Sequence, residues 1–379
     1  GFALTSLRNP ATIDQTTTAE LSSAQLTWLR FNRPRLAVAS GGFLIAIYFV
    51  AAFCEFFAPY DPSWRNSKAI FAPPQEIHFV DEKGDFHLRP FVYGYNLHIN
   101  PDTWVREYEE DKSQRYPLRF FAGGIEYEFW NLFRANRHFV TVEANHYLHF
   151  FGTDKLGRDI FSRVIYGARI SLSLGLIGVA LTIVLGVLIG GLAGYLGGRV
   201  DNLIQRSIEV LQSIPTLPLW MALSAALPVH WSPLTVYFGI IVILSLIQWT
   251  GLARVVRGRF LALREEDFVV AARLMGASQF RIITRHLLPS FMSHIITTAT
   301  LAIPGMILAE TALSFLGVGL RSPVVSWGVL LQQAQNYQVI VLTPWLLIPG
   351  VFVILVVIAF NLLGDGMRDA ADPYGGNAG

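Results

Sequence analysis

Cysteine is nearly absent. Cys54 is the only one in 379 residues, so neither an intrachain disulfide nor a cluster of thiolate ligands can staple this chain. Charge is scarce as well: Asp, Glu, Lys and Arg make up 15% of the residues, against about 25% in ordinary soluble domains. With 53% hydrophobic residues, the apolar excess has to meet lipid. Neither sign of charge prevails, because 29 basic and 27 acidic residues leave +2, which gives no electrostatic reason to expect nucleic acid as a partner. Also missing is any Gly-Lys dipeptide, so the sequence holds no phosphate-cradling Gly-x-x-x-x-Gly-Lys loop and is not a P-loop ATPase. No catalytic residue and no cofactor are expected in this chain.

Long uncharged runs are what the sequence has in plenty. A hydrocarbon core about 30 Å thick needs about 20 apolar helical residues, each rising about 1.5 Å. Residues 36–54 and 171–196 contain no Asp, Glu, Lys or Arg, and neither does the stretch 210–253, which is long enough to cross twice. Its expected turn is Pro228-Val229-His230-Trp231-Ser232-Pro233, where two prolines lack backbone donors and Trp231 suits an interface. Residues 286–309 and 341–364 supply a fifth and a sixth span. The fold expected is therefore an all-α polytopic membrane protein with six transmembrane helices.

Orientation follows from the arginines. Arg30, Arg33 and Arg35 precede the first span, expected within residues 36–57, and put the N-terminus in the cytoplasm. Six crossings then bring Arg199, Arg206, the arginine-rich stretch 254–285 and Arg368 to the same side, as the charge rule requires. A cleaved signal is the rival reading of the first run. At about 19 residues it is longer than a usual signal core, and Phe53 before Cys54 is too bulky for a lipoprotein cleavage site. Residues 1 to about 27, polar and rich in Ser and Thr, read as a mobile cytoplasmic tail.

Between the first two spans, residues 58–165 hold prolines, aromatics and charges of both signs without a spanning run, and the orientation places them outside. This segment reads either as packing on the outer face or as a docking platform or gate. His146 and His149 have no carboxylate or cysteine at a telling spacing, and no metal site is assigned to them.

The stretch 263–285 carries the mechanism. Helical spacing puts Phe268, Ala271, Ala272, Met275, Ile282 and Ile283 on one half of the wheel, and Glu266, Arg273 and Arg281 on the other. Glu265, Glu266 and Asp267 suit its positive start, Gly276 can end it, and Ser278 can cap the next turn. An amphipathic helix between two spans is implied. Glu310 at membrane depth is a candidate pore or ion-linked group by default, with a serine, arginine or water partner as the structural alternative. Pro215, Pro218 and Pro304 are expected to bend helices, either around a cavity or to relieve packing.

The pattern Val270-Ala271-Ala272, Gly276, Leu288-Pro289 resembles the Glu-Ala-Ala loop of bacterial ABC-importer membrane subunits, with Val270 where that family carries Glu. Gly152-Thr153-Asp154-Lys155-Leu156-Gly157-Arg158-Asp159-Ile160-Phe161-Ser162-Arg163, then Tyr166-Gly167-Ala168-Arg169-Ile170-Ser171-Leu172, is similar to the stretch before the second span of dipeptide and oligopeptide permease C-type subunits. Ala309-Glu310-Thr311-Ala312-Leu313-Ser314-Phe315-Leu316-Gly317 and Asn361-Leu362-Leu363-Gly364-Asp365-Gly366-Met367-Arg368-Asp369 match the same family. The resemblance is loose over 28–74, close over 148–375, and fails over about 75–147, an insert in the periplasmic segment.

It implies a peptide importer of the inner membrane in which residues 254–289 dock into a cleft of the ATPase through Phe268, Ala271, Ala272, Arg273, Gly276, Leu288 and Pro289. Implied partners are a homologous second permease subunit, two ATP-binding-cassette ATPase subunits carrying ATP and Mg, and a periplasmic solute-binding protein. Relatives of this type also carry opines, sugars or nickel. An ion-coupled secondary transporter built on Glu310 and a membrane-bound receptor are the readings from other classes, and no internal repeat supports the first.

Overall fold

The computed structural model describes residues 35–102, 104–143 and 146–371. The polar N-terminal tail with Arg30 and Arg33, and the last eight residues, fall outside them. In chain order come α1 (Arg35–Ala52), a single turn α2 (Cys54–Phe57), strands β1 (His78–Val80), β2 (Phe86–Ile99), β3 (Arg106–Pro117), β4 (Arg119–Phe129) and β5 (Phe133–Thr141), and α3 (Ile160–Leu196). There follow α4 (Gly198–Ser213), α5 (Thr216–Ala225), α6 (Pro233–Leu263), α7 (Asp267–Leu274), α8 (Met292–Phe315), α9 (Trp327–Gln332) and α10 (Ile348–Ala371). Among the described residues, five helices are long and apolar enough to cross a membrane: α1, α3, α6, α8 and α10 with the turn before it. The chain is mostly helical and spans the membrane several times.

Helix α3 is the spine. Its 37 residues are capped by Asp159, whose carboxylate accepts from the Ser162 amide and hydroxyl at 2.7 Å, and it packs against α1, α6, α8 and α9. Small residues set its distance from α6. A Cβ at Gly190 would lie 2.4 Å from the Ala253 carbonyl oxygen, and one at Gly194 2.7 Å from that of Arg257. With Gly186 against Leu252, these glycines recur every fourth residue on one face, so the two backbones touch where side chains would hold them apart. The main core gathers around Leu172, Leu244, Ile307, Leu313, Trp327 and Val356.

Two expectations are corrected. The fold is not all-α, because the segment between α1 and α3 forms an antiparallel three-stranded sheet β1-β2-β3 and a separate antiparallel pair β4-β5. His78 faces Phe91, Val92 faces Tyr116, and Phe129 faces Phe133. Backbone groups here are satisfied strand to strand, and Val92, Leu118, Val140, Val142 and Leu148 make a small core between the two sheets.

The third span is not one helix either. Pro228 and Pro233 do bound the turn before α6, and Ser232 caps that helix by accepting from Thr235 N at 3.2 Å. Before the turn, however, Ile214 and Pro215 are extended and split the run into the end of α4 and the ten-residue α5. Pro215 thus breaks the chain rather than bending it, and Pro218 sits in the first turn of α5, where its missing donor costs little. The other boundaries shift as well. α1 ends at Ala52 rather than 57, α3 starts eleven residues before the uncharged run, and α8 runs from Met292 to Phe315 rather than 286–309.

Candidate functional site

The stretch after α6 is an extended stem bearing a short crosspiece. α6 continues ten residues past Ala253, and Glu266 then leads into α7. One side of the crosspiece is bound to the body: Val269 and Ala272 of α7, with Ile282, pack on Val256, Phe260, Phe291 and Ile295. The other side is exposed. Leu274, Met275 and Phe280 are 83%, 81% and 77% exposed, and Phe268, Val270 and Ala271 are exposed beside Arg273, Arg281 and Arg285.

This divides the apolar half-wheel in two, turning Ala272 and Ile282 inward while Phe268, Ala271 and Met275 face out. Ala272 is buried against the body within this chain, so the surface α7 leaves exposed is that of Phe268, Ala271 and Met275. Gly276 is exposed, and a Cβ there would meet open space. Its need is conformational: at φ +79° it closes α7, with Gly276 N bonding Arg273 O and Ala277 N bonding Ala272 O, both at 3.0 Å. Ser278 caps the turn Gln279–Ile282, and a wide turn Ile283–Leu287 leads to Leu288-Pro289-Ser290. Leu288 is half-buried and the exposed Pro289 ends this connection before α8 begins. Neither Leu274 nor Phe280 was singled out from the sequence, although both are apolar residues flanking the helix-ending glycine.

The four candidate gate residues separate. Pro215 and Pro218 lie at the exposed α4–α5 break, whereas Pro304, inside α8, and Glu310 are buried in the packed body. Glu310 is fully buried and held by serines. Ser314 and Ser326 each donate to its Oε1 at 2.7 Å, and Ser171 donates to Oε2 at 3.4 Å. Each serine oxygen also accepts a backbone amide: Leu320 N at Ser314, Trp327 N at Ser171, and Val329 N at Ser326. One carboxylate thus ties α3, α8 and the start of α9 together. Ser171 and Ser314 come from separate signature stretches. Ser326 belongs to none, and nothing in its local sequence marks it.

The comparisons with known proteins give the family. Residues 186–374 match the family described as binding-protein-dependent transport system inner membrane component, and residues 22–74 match the N-terminal TM domain of oligopeptide transport permease C. The dipeptide transport system permease protein DppC of Bacillus subtilis (strain 168) is 43% identical over 227 residues, 59% of this chain and 68% of that protein. The oligopeptide transport system permease protein OppC of Haemophilus influenzae is 38% identical over 255 residues, 67% of this chain and 78% of that one. The chain belongs to the family of binding-protein-dependent ABC importer permeases. A likeness to the solved inward-facing MetNI methionine ABC transporter, at TM-score 0.42 and 19% identity over 56% of this chain and 98% of that one, is too slight to bear on the fold.

As a permease subunit, the chain performs no chemistry; ATP hydrolysis belongs to separate subunits. The family comes with ATPase, substrate-binding and second-permease partners, and its place is the inner membrane.

At the end of the body away from α7, the permease's signature stretch is a polar knot. Asp154 Oδ1 accepts the amides of Leu156 at 2.8 Å and Arg158 at 3.0 Å, while Oδ2 accepts Arg158 Nε at 2.7 Å. Thr153 Oγ1 donates to Ala69 O and accepts from Ala72 N at 2.8 Å, and Gly157, at φ +71°, lies so close to Asn66 that a Cβ would be 2.0 Å from its carbonyl oxygen. The buried His149 bonds Asp159 Oδ1 at 3.0 Å, and His146 stacks on Tyr116. A second clamp closes α1. Arg169 binds Glu55 through two bonds of 2.7 and 2.5 Å and also donates to the Ala51 and Ala52 carbonyls at its end. Burial alone would raise the Glu55 carboxyl, but the hydrogen bonds and charge of Arg169 outweigh it and hold it below the usual carboxylate range.

Proposed function

We propose that this permease subunit imports peptides, di- or oligopeptides or peptide-like solutes, from periplasm to cytoplasm by alternating access. It pairs with a homologous second membrane subunit, rests on two ATP-binding-cassette subunits carrying ATP and Mg, and receives solute from a periplasmic binding protein. The peptide cargo rests on relatives named for dipeptide and oligopeptide transport. The mechanical reading rests on one observation: α7 has an inner side fixed to α6 and α8 and an exposed apolar and cationic side.

The exposed side, built from Phe268, Ala271, Arg273, Leu274 and Met275, docks in a cleft of the ATPase. Gly276 and Leu288-Pro289 shape the connection that carries movement into α8. Motor closure turns α7, and the Val269–Ala272 contacts pass that turn to Phe260 and Phe291. The free energy comes from tighter nucleotide binding in one of the two states. The third crossing consists of the end of α4 and α5, broken at Pro215, which makes six crossings with both termini cytoplasmic. The surface α5 leaves exposed faces the second subunit, and the pore runs between them. Residues 75–147 are an insert on the periplasmic side.

The test is co-purification and transport. With Ala271→Glu or Met275→Asp, ATPase subunits are expected to dissociate and ATP-driven peptide uptake to drop at least tenfold. Uptake and co-purification at the unsubstituted level would refute the docking assignment.

A further inference from the structure

We propose that the β4–β5 hairpin tip lies in the outer leaflet of the bilayer, so that the extracytoplasmic sheet rests on lipid rather than standing free in the periplasm.

The height of the tip is fixed by its contacts. α1 is a membrane-crossing helix whose 18 described residues make about 27 Å, close to the about 30 Å of a hydrocarbon core, so its last turn at Ala52 lies near the outer boundary. The hairpin reaches back to that turn. Trp130 Nε1 donates to the Ala52 carbonyl at 2.9 Å, and the Phe129 ring stacks on Phe53 at 5.6 Å. Phe53 in turn meets Phe49, 4.8 Å away on α1. Phe49 is exposed on a helix that crosses the membrane, so the aromatic row starts in lipid and runs unbroken onto the hairpin.

The tip itself is apolar. Leu132 is 77% exposed, with Trp130 and Phe133 about half exposed beside it. In water this apex would be an unpaid apolar patch, whereas at the interface it is the expected belt of aromatic residues. The turn also keeps Trp130 and Asn131 at positive φ, positions usually given to Gly or Asn, and the Trp130 indole lies 4.1 Å over the Arg169 guanidinium. Arg134, one residue past Phe133, is exposed and pairs with Glu128 at 3.4 Å, so on a tip lying in the outer leaflet its charge meets the headgroups. The aromatic row continues from α1 onto the tip without a break, which is why lipid, rather than a protein partner, is the occupant.

The test uses spin labels on the full chain, purified with whatever subunits accompany it and placed in lipid nanodiscs. Labels go at Leu132→Cys and Phe133→Cys, with Ser113→Cys on β3 as the water-exposed control; Cys54 is buried, and an unsubstituted sample sets its background. At the tip, oxygen collisions are expected to exceed those of a water-soluble nickel chelate several-fold, with the order reversed at position 113. Chelate collisions at 132 and 133 as frequent as at 113 would place the tip in water and overturn the proposal. Exclusion of both reagents would mean that a protein subunit covers it, and would overturn it equally.

Discussion

Glu310→Ala strips three serine hydroxyls of a common acceptor and leaves a void where α3, α8 and α9 meet. A loss of roughly 2–4 kcal/mol of stability is expected, read as a lower detergent melting temperature, whereas Glu310→Gln, which keeps the volume and an acceptor, loses less. If Glu310 were instead an ion-linked group, the Gln variant would fold normally and lose transport. Arg169→Ala leaves the Glu55 carboxylate buried without its cation and uncaps the end of α1, at about 3 kcal/mol. The depressed Glu55 carboxyl sets the sign of its pH dependence. Its stabilisation is complete at neutral pH and is lost as acidity rises through the folded value, which lies below the ordinary value of about 4.3. Acid unfolding of the Glu55→Gln variant is therefore expected to lack one steep component, measured by fluorescence between neutral pH and pH 3. These partners were only half legible. The signature stretches name Arg169, Ser171, Glu310 and Ser314, but contacts across 114 and 139 residues of chain are not written in any local pattern.

Among the elements, the pair α3–α6 depends on the absence of side chains. A Cβ at Gly190 would sit within the Ala253 backbone, so Gly190→Leu forces the helices apart and is expected to lower folded yield and to cost at least about 1–3 kcal/mol, seen as a shifted melting curve. Gly276→Val places a branched residue at φ +79° and frays α7, which weakens coupling without touching the membrane core. The long helices could be read because a run without charge, at about 1.5 Å per residue, declares its span. The α4–α5 break could not, since the composition stays apolar through Ile214 and Pro215 and a proline in a span is as compatible with a bend as with a rupture. The strands were hidden for another reason. β3 reads Arg-Glu-Tyr-Glu-Glu-Asp-Lys-Ser-Gln-Arg-Tyr-Pro, without the β-branched alternation that marks a strand, and pairing with β2 supplies what propensity does not. On α7 the position of the helix was plain from the sequence, but not which of its apolar residues face inward, because both sides carry them.

At the scale of the whole molecule, the permease is a membrane body held at two ends: by the polar knot at residues 153–163 and the Glu55–Arg169 clamp at one, and by the α7 crosspiece at the other. Charge at the crosspiece and damage to the knot should therefore separate. Asp154→Ala is expected to lower stability and assembly together, whereas Met275→Asp leaves the melting curve within about 0.5 kcal/mol and removes only the ATPase subunits. The most direct measurement of the central claim is peptide uptake into proteoliposomes holding this permease with its accompanying subunits and binding protein, ATP enclosed, for the unsubstituted protein and for Met275→Asp. The account predicts uptake that requires ATP, ignores ionophores, and falls at least tenfold in the variant. Uptake that persists without ATP and collapses with an ionophore, or that is unaltered in the variant, would contradict it.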